Sequence, residues 1–395
     1  MTIASHGSTK KPEDIIGRKT EMEQYWRILE KQSIMLSSVR RMGKTCILRK
    51  MCANPAEGWI GVEYFVQGKT CPEEFTYDLV KILQDQSVLK KTKWKSFSQW
   101  AEKNLGDKDF GSFKIPGFAG KWKELLTDII KEVAESKSKV VIMIDELPLM
   151  LWELQMKGKE EAESAMELLN TLRTLRETYE ADSHVRFIFC GSIGMNLVLQ
   201  KFKKDFGYMG QPINNMAKEI VLAMNDLDGK ELCEYFLEGY PEEVDQESLI
   251  SSLLQATDNI PFYIEMAFGY FEKNFIDSPT VEDVKTVFEK TLNDTTESDQ
   301  YSHFSERIDT YYQEDERKVA YHILNFLCQS ESLKPEQEII NYINTQSSDF
   351  EEKTIKDTLK KLWEDLCIER VILDDTRHYK FRFNLIRRWW KINKA

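Results

Sequence analysis

Two stretches of this 395-residue chain carry residue types spaced for phosphate chemistry. The first, Ser38-Val39-Arg40-Arg41-Met42-Gly43-Lys44-Thr45, fits the phosphate-loop pattern G-x-x-x-x-G-K-[ST] at Gly43, Lys44 and Thr45; Ser38 stands where the pattern begins with glycine. Such a loop wraps anionic phosphates in backbone N–H groups at a helix start, so residues 38–46, with Cys46 in the opening turn, form the candidate cradle. Lys44 is expected against the β- and γ-phosphates, and the Thr45 hydroxyl on Mg²⁺. Ser38 is expected to cost backbone freedom, because only glycine takes positive φ without penalty. The second stretch, Val140 to Glu146, is a β-branched apolar run ending in two acids. Asp145 is placed to hold Mg²⁺ and Glu146 to polarise an attacking water.

These groups need elements to aim them. Ile34-Met35-Leu36 before the loop reads as a strand, and Ile47, Leu48, Met51 and Cys52 after it fall on one helix face that Asn54-Pro55 ends. The run Val140 to Ile144 reads as a central parallel strand buried on both faces. Upstream, Thr20-x-x-Glu23 is a capping box that opens a helix bearing Met22, Tyr25, Trp26 and Leu29. Gly17 and Arg18 ahead of it either approach an adenine base or form a plain turn.

Size and composition frame the rest. The length allows two or three domains, and 42% hydrophobic with 30% charged residues describes an ordinary globular chain. No apolar stretch reaches membrane-helix length and the first eleven residues lack a signal-peptide core, so a cytoplasmic location and no membrane partner are expected. The seven cysteines show no zinc spacing, and no metal beyond nucleotide-borne Mg²⁺ is expected. The net charge of −12 argues against general nucleic-acid binding, but Thr376 to Ala395 holds seven basic residues and no acid, leaving −19 on the remainder.

Taken in order, strands are expected at Trp59–Val66, Val185–Cys190 and Ile220–Leu222, and helices at 73–83, 122–135 and 160–180. The aromatic and basic segment 86–120 fits either single-strand stacking or, the reading preferred, an insertion packing on itself. Arg173 and Arg176 are candidates for an arginine finger or for plain surface charges. Ser192, at a strand end beside the acidic pair, either bonds the attacking water or γ-phosphate or closes a turn. Helices at 227–237, 246–256, 262–271 and 280–292 make a helical lid, and Asn293 to Gln300 reads as a linker. Helices at 314–328, 335–344 and 353–367 followed by a hairpin at 370–383 give a winged-helix arrangement.

This order of motifs resembles the archaeal-type P-loop ATPase family, within the group that links AAA+ ATPases to the STAND ATPases. The resemblance rests on Ile16-Gly17-Arg18, Arg40 to Thr45, Ile144-Asp145-Glu146, Cys190-Gly191-Ser192, Asn259 to Tyr263 and the C-terminal Ile386 to Trp390. It implies an α/β fold: a five-stranded parallel P-loop NTPase core (15–224) after a loose N-terminus (1–14), a helical lid (225–300) and a C-terminal winged-helix domain (301–395). It further implies nucleotide between core and lid, with Pro261 near it. Gln211 and Pro212 stand where relatives often have an arginine, which puts trans-activated hydrolysis in doubt.

The function expected is therefore that of an ATP-binding and ATP-hydrolysing Mg²⁺-dependent switch, with ADP as product. The alternative is a nucleotide-stabilised adaptor with little hydrolysis whose winged helix docks a protein partner; a homo-oligomer is a further candidate assembly. Lys353, Lys356, Lys360 and Lys361 with the basic C-terminus make DNA, through residues 353–391, a further candidate partner.

Overall fold

A computed structural model describes residues 7, 8, 10–86, 88, 121–136, 138–181, 184–346 and 350–395. The aromatic and basic segment singled out at 86–120 lies almost wholly outside them, as does most of the N-terminal stretch expected to be loose. Two compact units result: Lys10–Ser38 with Lys44–Val221, and Leu222–Ala395 with Val39–Gly43 and the N-terminal residues.

The first unit alternates helix and strand: α1 (Lys19–Leu29), β1 (Ile34–Ser38), α2 (Lys44–Ala53), β2 (Trp59–Phe65), α3 (Pro72–Asp85), α4 (Trp122–Glu135), β3 (Lys139–Asp145), α5 (Leu147–Lys157), α6 (Lys159–Glu180), β4 (Val185–Gly191), α7 (Met195–Phe206) and β5 (Ala217–Val221). The five strands form one parallel sheet in the order β2-β3-β4-β1-β5. Every residue of β4, and all of β3 after Lys139, is buried, which is why Val140 to Ile144 of β3 and Phe187 to Cys190 of β4 read as apolar runs rather than alternating ones. Each such valine or isoleucine contributes about 1.5–3 kcal/mol on full burial.

Three local expectations are corrected. Thr20 caps nothing: α1 starts at Lys19, and its N-cap is Arg18, held in the left-handed region at φ 66°. Ser38 carries no strain, because it closes β1 opposite Val221 and its hydroxyl donates to the Val221 carbonyl at 3.3 Å. The positive φ values fall instead on Arg41 (75°) and Gly43 (80°). Helix α5 was not expected at all. Pro148 in its first turn needs no N–H partner, and Leu147 to Leu151 are all buried, so the element shows no amphipathic period.

The second unit contains α8 (Asp226–Leu237), α9 (Gln246–Thr257), α10 (Pro261–Lys273), α11 (Val281–Asn293), α12 (Asp299–Tyr311) and α13 (Glu314–Leu327). Side chains of Asn225 and Asp245 cap α8 and α9, and Thr280 with Asp283 forms a reciprocal capping box on α11. The segment expected as a linker is a tight turn, in which the Asp294 carboxylate accepts from the backbone N–H of Thr296 and of Glu297 at 2.8 and 2.9 Å, and α12 follows at once.

Beyond lie β6 (Lys334–Pro335), α14 (Glu336–Gln346), α15 (Glu352–Glu364), β7 (Ile368–Leu373), β8 (Thr376–Phe381) and α16 (Asn384–Asn393). Helices α13 to α15 are closed by the antiparallel β7–β8 hairpin, to which β6 adds a short third strand. The basic C-terminal stretch ends in α16, which is amphipathic and buries Leu385, Ile386, Trp389 and Trp390.

Candidate nucleotide site

Strand β1 delivers the phosphate loop, and α2 begins at Lys44, so Lys44 and Thr45 project from a helix N-terminus. Strand β3 ends at Asp145, and Glu146 then turns into the left-handed region at φ 64° as the N-cap of α5. These two strand ends, with that of β4 and the start of α2, bring six side chains together. The Thr45 hydroxyl donates to one Asp145 oxygen at 2.7 Å. The other Asp145 oxygen accepts from the Glu146 backbone N–H at 2.9 Å and from the Cys190 thiol at 3.2 Å. The Lys44 ammonium lies 3.3 Å from Asp145 and donates to Glu146 at 3.1 Å. The second Glu146 oxygen accepts both the backbone N–H and the hydroxyl of Ser192, at 2.7 and 2.8 Å.

The cluster is largely buried. Asp145 is fully buried, and Lys44, Glu146 and Ser192 expose less than a tenth of their surface. Burial pushes the Asp145 carboxyl up, but the Lys44 charge, with bonds from Thr45 and Cys190, outweighs it and holds the group below the usual carboxylate range. Burial likewise pulls Lys44 down, and the Asp145 and Glu146 charges more than restore it, so Lys44 stays a cation. The Cys190 thiol, fully buried next to Asp145, is pushed well up and remains protonated.

The other expected residues lie as follows. Val39 and Met42 are buried in the loop, and Arg40 is half-exposed with Glu306 at 3.9 Å. The Arg41 guanidinium lies over the Phe262 ring, 3.7 Å from its centroid. A side chain added at Gly43 would meet the Pro261 ring at 3.7 Å, so Pro261 and the loop glycine are neighbours. Cys46 is partly exposed in the first turn of α2. Gly17 has φ 68°, and Arg18 is buried with its guanidinium on Glu21 at 2.7 Å. Lys50 of α2 bonds the Ile15 carbonyl, tying this segment to the loop helix.

The two finger candidates, offered for a neighbouring subunit's γ-phosphate, both lie on α6. Arg176 is fully buried and donates to the carbonyls of Pro212 and Asn214 at 3.2 and 2.6 Å, so both readings offered for it, finger and surface charge, are wrong. Arg173 pairs with Glu177 one turn on, at 2.8 Å, on the exposed face of α6. Sequence reasoning gave no role to Cys190, Gly191, Pro148 or Phe262. A Cβ on Gly191 would sit 2.7 Å from the Pro148 ring and 3.4 Å from Glu146, so glycine there makes room for the carboxylate.

Among the described residues no group of three or more His, Cys, Asp or Glu side chains is disposed to hold a metal ion. Thr45 and Asp145 instead offer a hard oxygen pair, which fits Mg²⁺ when phosphates and water complete its shell.

A five-stranded parallel sheet with a glycine-lysine-threonine loop after β1 and an acidic pair at the end of β3 is an α/β fold of the P-loop NTPase type. The chain is similar to a Walker-type ATPase of Pyrococcus abyssi, with 15% identity over 96% of this chain and 97% of that one and a TM-score of 0.62. It is also similar to the ORC2 protein of Aeropyrum pernix, solved as ADPNP–ADP complexes, with 13% identity over 98% and 96% of the two chains and a TM-score of 0.54. No protein-family model matches the sequence, and no curated protein matches it. Among the described residues no helix is long and apolar enough to cross a membrane.

Proposed function

We propose that the chain binds ATP and hydrolyses it to ADP, serving as a nucleotide-driven switch. The observation that carries this reading is the hydrogen-bonded, largely buried cluster of Lys44, Thr45, Asp145, Glu146 and Ser192 at the end of the phosphate loop. The amides of residues 39–45 and the start of α2 receive the phosphates, and Lys44 exchanges its carboxylate partners for phosphate oxygens. A Mg²⁺ ion held by Thr45 and Asp145 would supply charge neutralisation across the β- and γ-phosphates. Glu146 orients the attacking water and accepts its proton, and Ser192 fixes the Glu146 carboxylate. The helical segment 225–300 acts as a lid, and α13 to α15 with the β7–β8 hairpin form a winged helix whose position reports the nucleotide state.

The decisive experiment is steady-state phosphate release by the purified protein beside Glu146→Gln. Turnover that survives unchanged in the variant would sink the assignment of Glu146. ATP binding that is undetectable in the wild type would sink the whole reading.

A second reading, an adaptor whose winged helix docks a protein, is favoured over DNA by one observation: the cations offered for phosphate contact are largely engaged. Lys356, Lys360 and Lys361 pair with Glu352, Glu364 and Glu316 at 2.5, 3.7 and 2.6 Å, and Arg387 pairs with Glu331 at 2.7 Å. The hairpin end carries exposed Ile372 and Leu373 beside Asp374 and Asp375. Duplex DNA affinity falling steeply with salt, and weakened by replacing Arg387 and Arg388, would reverse that preference.

A further inference from the structure

The five central residues of the phosphate loop, Val39–Gly43, belong to the same compact unit as residues 222–395, although the loop's two ends run into β1 and α2 of the other unit. Arg41 is the point of attachment. Its backbone is held at φ 75°, an unfavourable conformation for a residue with a side chain, and its guanidinium rests on the Phe262 ring. From there an unbroken series of ring contacts continues: Phe262 to Tyr263 at 5.3 Å, Tyr263 stacked on Tyr301 at 5.0 Å, Tyr301 to Trp389 at 6.5 Å, and Trp389 to Trp390 at 6.2 Å. Tyr263, Tyr301, Trp389 and Trp390 are all within 2% of full burial, so none can shift without moving its neighbour.

A second route ends on the same helix. Pro261 packs beside Gly43, and three residues before it Asp258, held at φ 51°, accepts the Leu385 backbone N–H at 2.7 Å. The Asp258 carboxylate therefore satisfies an orphan donor in the first turn of α16 from 127 residues away. Loop glycine, lid proline and C-terminal helix are joined by one short peptide and one hydrogen bond.

We propose that α16 is the element through which the phosphate loop's occupancy is read. Phosphates bound by the loop amides fix the backbone at residue 41, and the ring series transmits that choice to Trp389 and Trp390. The inference rests on the nucleotide reading above and adds the residues that report it. Phe262 is the link to test, since it lies outside the cluster of Lys44, Asp145 and Glu146.

Equilibrium binding of a fluorescent ATP analogue with Mg²⁺ is measured for wild type, Phe262→Leu and Phe262→Tyr, together with hydrogen–deuterium exchange of residues 384–393 with and without ATP. In the wild type, ATP is expected to change α16 exchange by about fivefold or more, the low end of ordinary coupling between sites. Phe262→Tyr, which keeps the ring, is expected to preserve that response, and Phe262→Leu to lose it while still binding ATP. Should Phe262→Leu fail to fold, Phe262→Met, which fills more of the space but likewise lacks the ring, removes the same contact with Arg41 and is expected to give the same loss. ATP binding with no change in α16, or an equal change in wild type and the ring-less variant, overturns the coupling and leaves the nucleotide reading standing. No ATP binding by the wild type overturns both.

Discussion

Ser192 donates twice to a single oxygen of Glu146, while the other oxygen of that carboxylate is bonded by Lys44. The group proposed to orient water is thus itself oriented, by a strand-end residue on one side and by the phosphate-loop lysine on the other. The two Ser192 bonds do not depend on Lys44, so that half of the hold stays in place when Lys44 turns to phosphate oxygens, which is how a general base gains from preorganisation.

Glu146→Gln keeps the acceptor oxygen for Ser192 but cannot take a proton. Phosphate release is expected to fall by about 10²–10⁴-fold, the ordinary contribution of a positioned base, with ATP affinity little changed. Single-turnover assays beside equilibrium binding separate the two quantities.

Lys44→Ala removes the only cation bonded to the Asp145–Glu146 pair in this cluster. Breaking a buried pair by deleting one partner costs about 3–5 kcal/mol, so this variant should melt earlier as well as lose nucleotide. Denaturant titration checks the first effect without any ligand present; stability within about 0.5 kcal/mol of wild type, an ordinary surface change, would contradict it.

Gly191→Ala places a methyl group against the Pro148 ring, which cannot rotate away. Overpacking of this kind costs about 1–3 kcal/mol, and here the strain also displaces Glu146. A loss of turnover larger than the loss of folded protein is the expected signature.

His303 on α12 is 93% buried, and burial, then the charges of Arg41, Arg40 and Arg307, hold its pKa well below the ordinary 6.5. The unfolded chain therefore binds a proton there that the folded chain refuses. The His303 contribution to stability is complete above about pH 6.5 and is lost as pH falls, by up to about 1.4 kcal/mol per pH unit. Thermal melts from pH 7.5 to 5 should show this decline, and His303→Phe should flatten it.

Arg176→Met leaves the Pro212 and Asn214 carbonyls without their donor and is expected to destabilise by about 1–3 kcal/mol. Arg173→Ala, on the exposed face of the same helix, should stay within about 0.5 kcal/mol of wild type. Urea titration of both variants makes the comparison.

The parallel core was legible because burial on both faces writes itself as runs such as Val140 to Ile144, and the loop because its glycine, lysine and threonine occur in fixed order. Helix α5 was not, since an element buried all round has no period to read and Pro148 suggested a break. Arg176 misled because charge normally marks the surface, and only the fold reveals the carbonyls that it serves. Thr20 and Glu23 form a correct local motif that lost to the Arg18–Glu21 pair. Asp258 capping α16 joins residues 127 apart, a relation that no local pattern encodes.

The assignment of Val39–Gly43 to the unit of residues 222–395 also bears on how the protein is made. A ribosome releases β1, α2 and the rest of the parallel sheet first, yet the packing partners of Arg41 and Gly43 come from residues more than two hundred positions later. At ordinary elongation rates the loop waits on the order of ten seconds for Pro261 and Phe262 to emerge. By the end of that interval the nascent chain holds all five strands of the sheet but not yet the packing partners of Arg41 and Gly43, so the nucleotide site proposed above would be completed late in synthesis, with the helical segment rather than with the sheet.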